Sequence, residues 1–399
     1  MPTKSKKQKI RQLRRGKTSL SASEEQPMDR STVDACTILL VNAGSHAYGT
    51  STPTSDRDIR GIMIPPADYI LGMRRVDQYQ EVGMAATETT PERPDLVIYE
   101  LRKYLVLAAD ANPNILELLF VDDSDVLATT KVGDKLRAHR HLFLSKKAKH
   151  TFSGYAMSQL KRIESHRRWL LNPPTAPPCR QDFGLPERTV IPKDQLAAAE
   201  ALVRKQVEAW ENVLPTYGVD VIDPAAAIQM RELLIAALTE MRLATDEDRF
   251  LAAARHVGLD DNFLDLLDRE RRYVQKKREW DAFRQWCEGR NEARAELERK
   301  HGFDTKNAMH LVRLKKMALE IGKFGEVRVF RDDAAELLAI RNGAWSHTHL
   351  MQWSKDQDDV IDAVYEASTL PKQPDHDAIN ALCVEIIEAE LQRRRSKAS

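Results

Sequence analysis

Residues 44–58 read GSHAYGTSTPTSDRD, and their types and spacing suit metal-assisted chemistry on a phosphate. Asp56 and Asp58 are separated by one residue. In an extended segment side chains alternate faces, so the two carboxylates point one way and Arg57 the other. Two carboxylates on one face can hold Mg²⁺, a hard cation that keeps several waters and is bound by one or two carboxylates together with substrate phosphates. Gly44 lets the backbone approach a ligand closely, and the Ser45 hydroxyl with neighbouring N–H groups can take a phosphate oxygen. The combination points to metal-dependent nucleotidyl transfer.

Such groups need a scaffold. The apolar run Thr37 to Val41 reads as a strand that delivers Gly44 and Ser45, Ile59 to Ile64 as a second strand leaving Asp58, and Leu96 to Tyr99 as a third. Leu101, Tyr104, Leu105 and Ala108 then recur at helical spacing. Asn112 is placed to cap a helix over Ile115 to Phe120, with Pro113 at its first position. From residue 131 the pattern is helical: Lys131 to His150 and Thr151 to Leu171, stopped by the proline-rich 172–178. Ala197 to Val213 and Ala225 to Leu243 follow, then a charged run from Asp260 to Lys300 with acids and bases three and four apart. Asp304, Thr305 or Asn307 begins a helix over Ala308 to Ile321, a short strand Val327 to Phe330 comes next, and two or three helices close the chain. No internal repeat is visible. The expected fold class is α+β: a basic disordered arm at 1–30, a catalytic domain at 31–130 and a helical domain at 131–399.

A chain of 399 residues can bury one large core or two modest ones. Its charged residues make up 30% but balance to +1, so overall charge announces no nucleic-acid partner. The first twenty residues carry eight Lys or Arg and no acid, which suits either a solvated tail or transient contact with RNA phosphates. The four cysteines lie far apart with no C-x-x-C pair, arguing against a zinc site or a disulfide framework. His139, His141, His166, His347 and His349 lack a zinc-binding spacing. Without a signal-peptide core or a membrane-length apolar run, a soluble cytoplasmic protein is expected.

The arrangement Gly44-Ser45 followed by Asp56-x-Asp58 resembles the signature of the DNA polymerase beta-like nucleotidyltransferase superfamily. More narrowly, GSHAYGTSTPTSDRDIRGI, ANPNILELLF, DTKNAMHLVRL and LLAIRNGAW together resemble the bacterial and phage RNA repair pathway DNA polymerase beta family. The resemblance runs from about residue 37 to the end, with a less familiar middle at 180–300. It implies a nucleotidyltransferase domain with a short mixed sheet followed by a large helical domain. It also implies three carboxylates holding two Mg²⁺ ions, which in such sites stand roughly 3.5–4 Å apart. Asp56 and Asp58 match the first two carboxylates. Asp95, which opens the run Asp95-Leu96-Val97-Ile98-Tyr99, is the choice for the third, with Glu100 and Asp77 as competitors. Gly44 and Ser45 would contact the triphosphate.

The function expected is transfer of a nucleoside monophosphate from an NTP such as ATP to an acceptor hydroxyl, most concretely an RNA (tRNA) end in RNA repair. A protein or small-molecule acceptor and a catalytically idle RNA-binding protein stay open as alternatives, and so does the oligomeric state. His46 and Tyr48 could touch the nucleotide or pack beneath the loop, Arg57 suits a structural ion pair, and Asn112, Asn114 and Glu117 suit helix capping. The bases between Lys131 and Arg168 offer an RNA-phosphate surface on which Phe152 and Trp169 could stack; a solvated face over buried aromatics is the plain alternative.

Overall fold

Short β-branched runs bounded by turn residues build a five-stranded mixed sheet, and helices cover both of its faces. The computed structural model describes residues 28–53, 55–83, 93–189, 197–198, 201–202, 204–205, 261–290 and 292–398. In chain order its elements are α1 (Arg30–Cys36), β1 (Thr37–Ala43), α2 (Gly44–Ala47), β2 (Asp58–Met63), α3 (Ala67–Ile70), β3 (Gln78–Glu81), β4 (Asp95–Glu100), α4 (Leu101–Ala109), α5 (Pro113–Phe120), β5 (Val126–Thr129), α6 (Lys131–Ala138) and α7 (Lys147–Leu171). Then come α8 (Asp261–Gly289), α9 (Glu292–His301), α10 (Thr305–Phe324), α11 (Ala334–Arg341), α12 (His347–Ala367) and α13 (His376–Ala398). The strand order is β3-β4-β2-β1-β5. β1 runs antiparallel to β2 and β5, β3 antiparallel to β4, and β2 parallel to β4.

Contacts group the chain into two compact units, Met1–Leu170 with Ala293–Ser399, and Leu171–Glu292. In the first, Ile62 and Tyr99 on one sheet face join a core with Tyr104, Leu116, Phe152, Met317 and Ile386. On the other face, Val33 and Cys36 of α1 pack on Met63, Leu96 and Ile98. Alternation along β2 and β4 therefore sorts the side chains between two apolar layers. A third cluster joins Ile163 of α7 to Leu311 of α10, Leu337 of α11 and Leu350 of α12. The second unit is tied by Arg180, which pairs with the buried Glu270. No helix among the described residues is long and apolar enough to cross a membrane.

Several local expectations need correction. Lys131 to His150 is not one helix: α6 ends at Ala138, a 3₁₀ turn occupies Arg140–Phe143, and α7 starts at Lys147. Val327 to Phe330 is not a strand. Its period of two is real, with Val327 and Val329 buried and Arg328 and Phe330 exposed, but the buried pair joins the larger core and, among the described residues, no strand pairs beside it. The charged run is broken at Arg290 into α8 and α9. Residues 1–27 and Ala225 to Leu243 lie outside the described residues, as does most of Ala197 to Val213.

Candidate active site

β1 ends at Ala43, and at Gly44 the backbone enters the left-handed region with φ of 64°. A Cβ at Gly44 would stand 2.6 Å from Asp58 Oδ2. The glycine thus makes the turn and leaves room for a carboxylate. Tyr48 N donates to Gly44 O at 3.1 Å and Thr50 N to Ser45 O at 2.9 Å, closing the loop above the strand.

Asp58 opens β2, opposite Ala43 on one side and Asp95 on the other. Neighbours in parallel register share a face, so the Asp58 and Asp95 side chains project from the same side of the sheet. Asp56 does not lie on the strand; it precedes β2 by two residues. Its charge still reaches Asp58. Burial, and then the charges of Asp95 and Asp56, push the Asp58 carboxyl above its ordinary value, with Arg60 opposing them. Arg60 Nη2 donates to Asp58 Oδ1 at 3.1 Å and its Nη1 to Asp95 O at 3.2 Å. Asp95 Oδ1 accepts from Gly83 N at 2.6 Å, while Asp95 N donates to Arg57 O at 3.0 Å. Asp58 thus has one arginine partner and two further acids in its field, a donor set with room for further positive charge. The competitors are placed otherwise: Glu100 caps α4 through Lys103 N at 3.0 Å and pairs with Arg102, and Asp77 is exposed.

Residues 16–172 match the model of the RNA repair pathway DNA polymerase beta family. An "Uncharacterized 38.9 kDa protein in nrdC-mobD intergenic region" of Enterobacteria phage T4 is 38% identical over 77 residues. That stretch is 19% of this chain and 23% of the phage protein, so the match spans less than a quarter of that relative. No solved structure matches. The family match covers the sheet, the glycine turn and all three aspartates.

Beyond the family-matched segment, α10 contributes groups to the same neighbourhood. Tyr48 is buried, donates to Glu117 Oε2 at 2.5 Å and lies under the Arg313 guanidinium at 3.8 Å. Arg313 also donates to Glu117 Oε1 at 2.7 Å. Tyr48 is thus a packing residue, and Glu117 is a buried ionic link rather than a cap. Three and seven residues N-terminal to Arg313 on α10 are His310 and Lys306. Lys306 is pulled below the ordinary lysine value by loss of solvent and then by Arg294 and Arg341, while Asp56 and Asp304 act in the opposite direction. His310 falls to about 3, through burial first and then the charges of Arg313 and Lys306. Lys306 is not among the residues the sequence singles out; the signal for it is a polar stripe on DTKNAMHLVRL, an otherwise apolar helix.

Other expectations resolve into structure. Arg57 donates to Asn42 Oδ1 at 3.3 Å instead of forming an ion pair, and Asn112 caps α5 through Asn114 N. His46 Nε2 is buried without a hydrogen-bond partner. Three of the lysines offered to RNA are engaged within the chain: Lys147 with Asp110 at 2.6 Å, Lys149 with Asp362 at 3.0 Å, Lys146 with Glu366 O at 3.5 Å. Phe152 and Trp169 are buried.

Among the described residues, the cluster whose ligand atoms all lie within 4.8 Å of one another is His166, Glu298 and Asp304, not the three site aspartates. Here the cation is already supplied. Arg294 reaches Glu298 at 3.1 Å and Asp304 at 2.5 Å, and His166 Nδ1 lies 2.7 Å from Asp304 Oδ2. Asp304 also caps α10 through Asn307 N at 3.0 Å.

Proposed function

We propose that the chain is a Mg²⁺-dependent nucleotidyltransferase that moves a nucleoside monophosphate from an NTP to the terminal hydroxyl of an RNA, a damaged tRNA end being the most concrete case. The observation that carries the reading is the parallel Asp58–Asp95 pair with Asp56 beside it and the Gly44 turn against Asp58. The family description supplies the RNA-repair context. The catalytic part is residues 31–130, and the helical part from 131 onward adds basic groups and the acceptor side.

In this reading Asp56, Asp58 and Asp95 would hold the metal, whose charge offsets that of the triphosphate and lowers the pKa of the acceptor hydroxyl. The hydroxyl oxygen bonds to the α-phosphorus while the bond to the leaving pyrophosphate breaks. Asp95 helps take the hydroxyl proton. The Gly44 turn and the Ser45 hydroxyl hold phosphate oxygens, and Lys306, with no hydrogen bond or ion pair among the described residues, balances charge near Asp56.

Incubation with each labelled NTP, Mg²⁺ and total cellular RNA tests the reading. Label should enter RNA with the wild-type protein and not with Asp56→Asn. Label on protein or on a small molecule would replace the acceptor. RNA binding without any transfer would leave the idle binding protein.

A further inference from the structure

A groove of about 480 Å³ lies between the end of α5, the 3₁₀ turn after α6 and the segment preceding α11. Phe120, Asp122, Arg140, Arg328, Phe330 and Asp332 line part of it. Its size is within the range of small-ligand sites. Phe330 presses on Gly49, where a Cβ would stand 2.8 Å from the ring, and Arg331 N donates to Tyr48 O at 3.2 Å. The opposite wall is anchored beside the same loop: the 3₁₀ turn Asp123–Asp125 follows Asp122, and Asp125 accepts from Asn42 of β1 at 3.1 Å. Both walls therefore reach the segment that carries Gly44.

Two of the arginines have no carboxylate partner among the described residues. Arg140 lies over Phe120 at 5.4 Å, and its Nε is buried without a hydrogen-bond partner; Arg328 lies over Phe324 at 4.7 Å. With no carboxylate to neutralise them, these guanidinium groups can make charge-assisted bonds to a phosphate oxygen through their terminal nitrogens. Arg137, also in the lining, is held by Asp123 at 2.9 Å and Val121 O at 2.7 Å, so it serves the wall. Phe330 is 49% exposed and offers a stacking face. Asp122 and Asp332 bring acceptors that repel a polyphosphate but suit sugar hydroxyls. One phosphate, one base and a ribose match that mixture.

We propose that this groove holds the terminal nucleotide of a single-stranded RNA acceptor, with phosphate at Arg140 and Arg328, the base on Phe330 and ribose hydroxyls at Asp122 and Asp332. The proposal rests on the nucleotidyl-transfer reading only for the purpose of the bound end. The 2′-hydroxyl gives the acids a means of preferring RNA to DNA.

The test is fluorescence anisotropy of a labelled ten-nucleotide RNA, and of the DNA of the same sequence, with the full chain and its Arg140→Ala, Arg328→Ala and Phe330→Ala variants. Each variant should weaken RNA binding about 10-fold, in line with loss of a stacking or charge-assisted contact, and leave triphosphate binding unchanged. Unchanged RNA affinity in all three overturns the groove. A photoreactive 4-thiouridine at the RNA terminus, used with the wild-type protein, keeps the test independent of variant folding: crosslinking at Phe330 or its neighbours supports the proposal, and crosslinking elsewhere overturns it. If Asp56→Asn abolishes labelling while the groove variants bind RNA normally, the transferase reading stands and the groove falls. Groove-dependent RNA binding by a protein that transfers nothing has the reverse meaning.

Discussion

Two acidic clusters, one at the N-terminal ends of β2 and β4 and one at the start of α10, meet the same problem in opposite ways. Asp304 is fully buried, yet His166, Arg294 and Asn307 surround it and hold its carboxyl at about 2, against the upward push of burial. Asp58 has Arg60 as its one basic partner, faces Asp95 and Asp56, and has its carboxyl raised. In the first cluster the protein has supplied the countercharge; in the second, on the proposed reading, a bound metal would supply it. Proximity of ligand atoms alone would choose the group that Arg294 already fills over the proposed site. Carboxylates whose ionised form is disfavoured by their neighbours mark function more reliably than carboxylates that are merely close.

The largest expected effect lies at the unfilled cluster. Asp58→Asn or Asp56→Asn should reduce nucleotidyl transfer by at least about 10²-fold, the size expected for loss of a main electrostatic group. For Asp58 the sign on stability is opposite: a carboxyl raised by folding destabilises the folded state once it ionises, so Asp58→Asn should melt no lower, and above pH 3.8, the ordinary carboxyl value, somewhat higher, than the wild type without metal. Label transfer and thermal melting on the same preparations check both. A variant that transfers at the wild-type rate would remove that carboxylate from the site.

The filled cluster should behave in the reverse manner. Arg294→Ala leaves Glu298 and Asp304 buried without their guanidinium, and should cost about 3 kcal/mol, the low end for breaking a buried pair because Arg294 is itself partly exposed. Urea unfolding measures it. A near-neutral result would mean that His166 and Asn307 suffice for Asp304, and the contrast between the clusters would lose its basis.

Much of this contrast was not legible in the sequence. The strands β1, β2 and β4 were, because short β-branched runs between turn residues leave little choice, and α4 followed from its spacing. Asp95 was singled out by its place at the head of a strand. By contrast β3 reads QYQE, a polar edge strand without an apolar signal, and β5 is the four residues VLAT. Val327 to Phe330 imitates a strand because a segment that buries alternate residues against helices shows the same period as one in a sheet. The Glu117–Arg313 bond joins residues 196 apart, and the pairing of Lys149 with Asp362 joins α7 to α12. No local pattern reports which distant acid a base will meet. That is why the lysines of α7 looked available to RNA and Lys306 did not stand out.

Gly44 offers a smaller and sharper test of the site. With φ of 64° and Asp58 Oδ2 2.6 Å from where a Cβ would stand, Gly44→Ala should cost about 1–2 kcal/mol in backbone strain and displace the carboxylate. Gly44→Val should do more, weakening triphosphate binding beyond the loss from Ser45→Ala, which removes one hydroxyl donor. Isothermal titration with a non-hydrolysable triphosphate ranks the three. Equal and unchanged affinities would move the nucleotide away from this turn, although the strain in the glycine variants would still register in melting.

The smallest effect at neutral pH concerns His310, and it separates the two clusters by their response to acid. Its pKa of about 3 in the folded chain lies below the 6.5 of the free side chain, so between those values the unfolded chain binds more protons and stability falls as pH falls. Asp304, held at about 2 against 3.8, also loses its contribution on acidification, but only below about pH 4. Asp58, with its raised carboxyl, gains from protonation and opposes both. The groups that set His310 are Arg313, Lys306 and Arg294 against it and Asp304 for it, with burial the first cause. The wild-type melting temperature should therefore begin to drop near pH 6.5, whereas in His310→Asn the drop between pH 6.5 and 4 should be smaller, the lowered His347 still contributing there. Melting curves from pH 7 to 3 decide it. An acid limb that is the same in both proteins would mean that His310 can be protonated in the folded chain, and hence that the α10 cations are better solvated than their mutual effect implies.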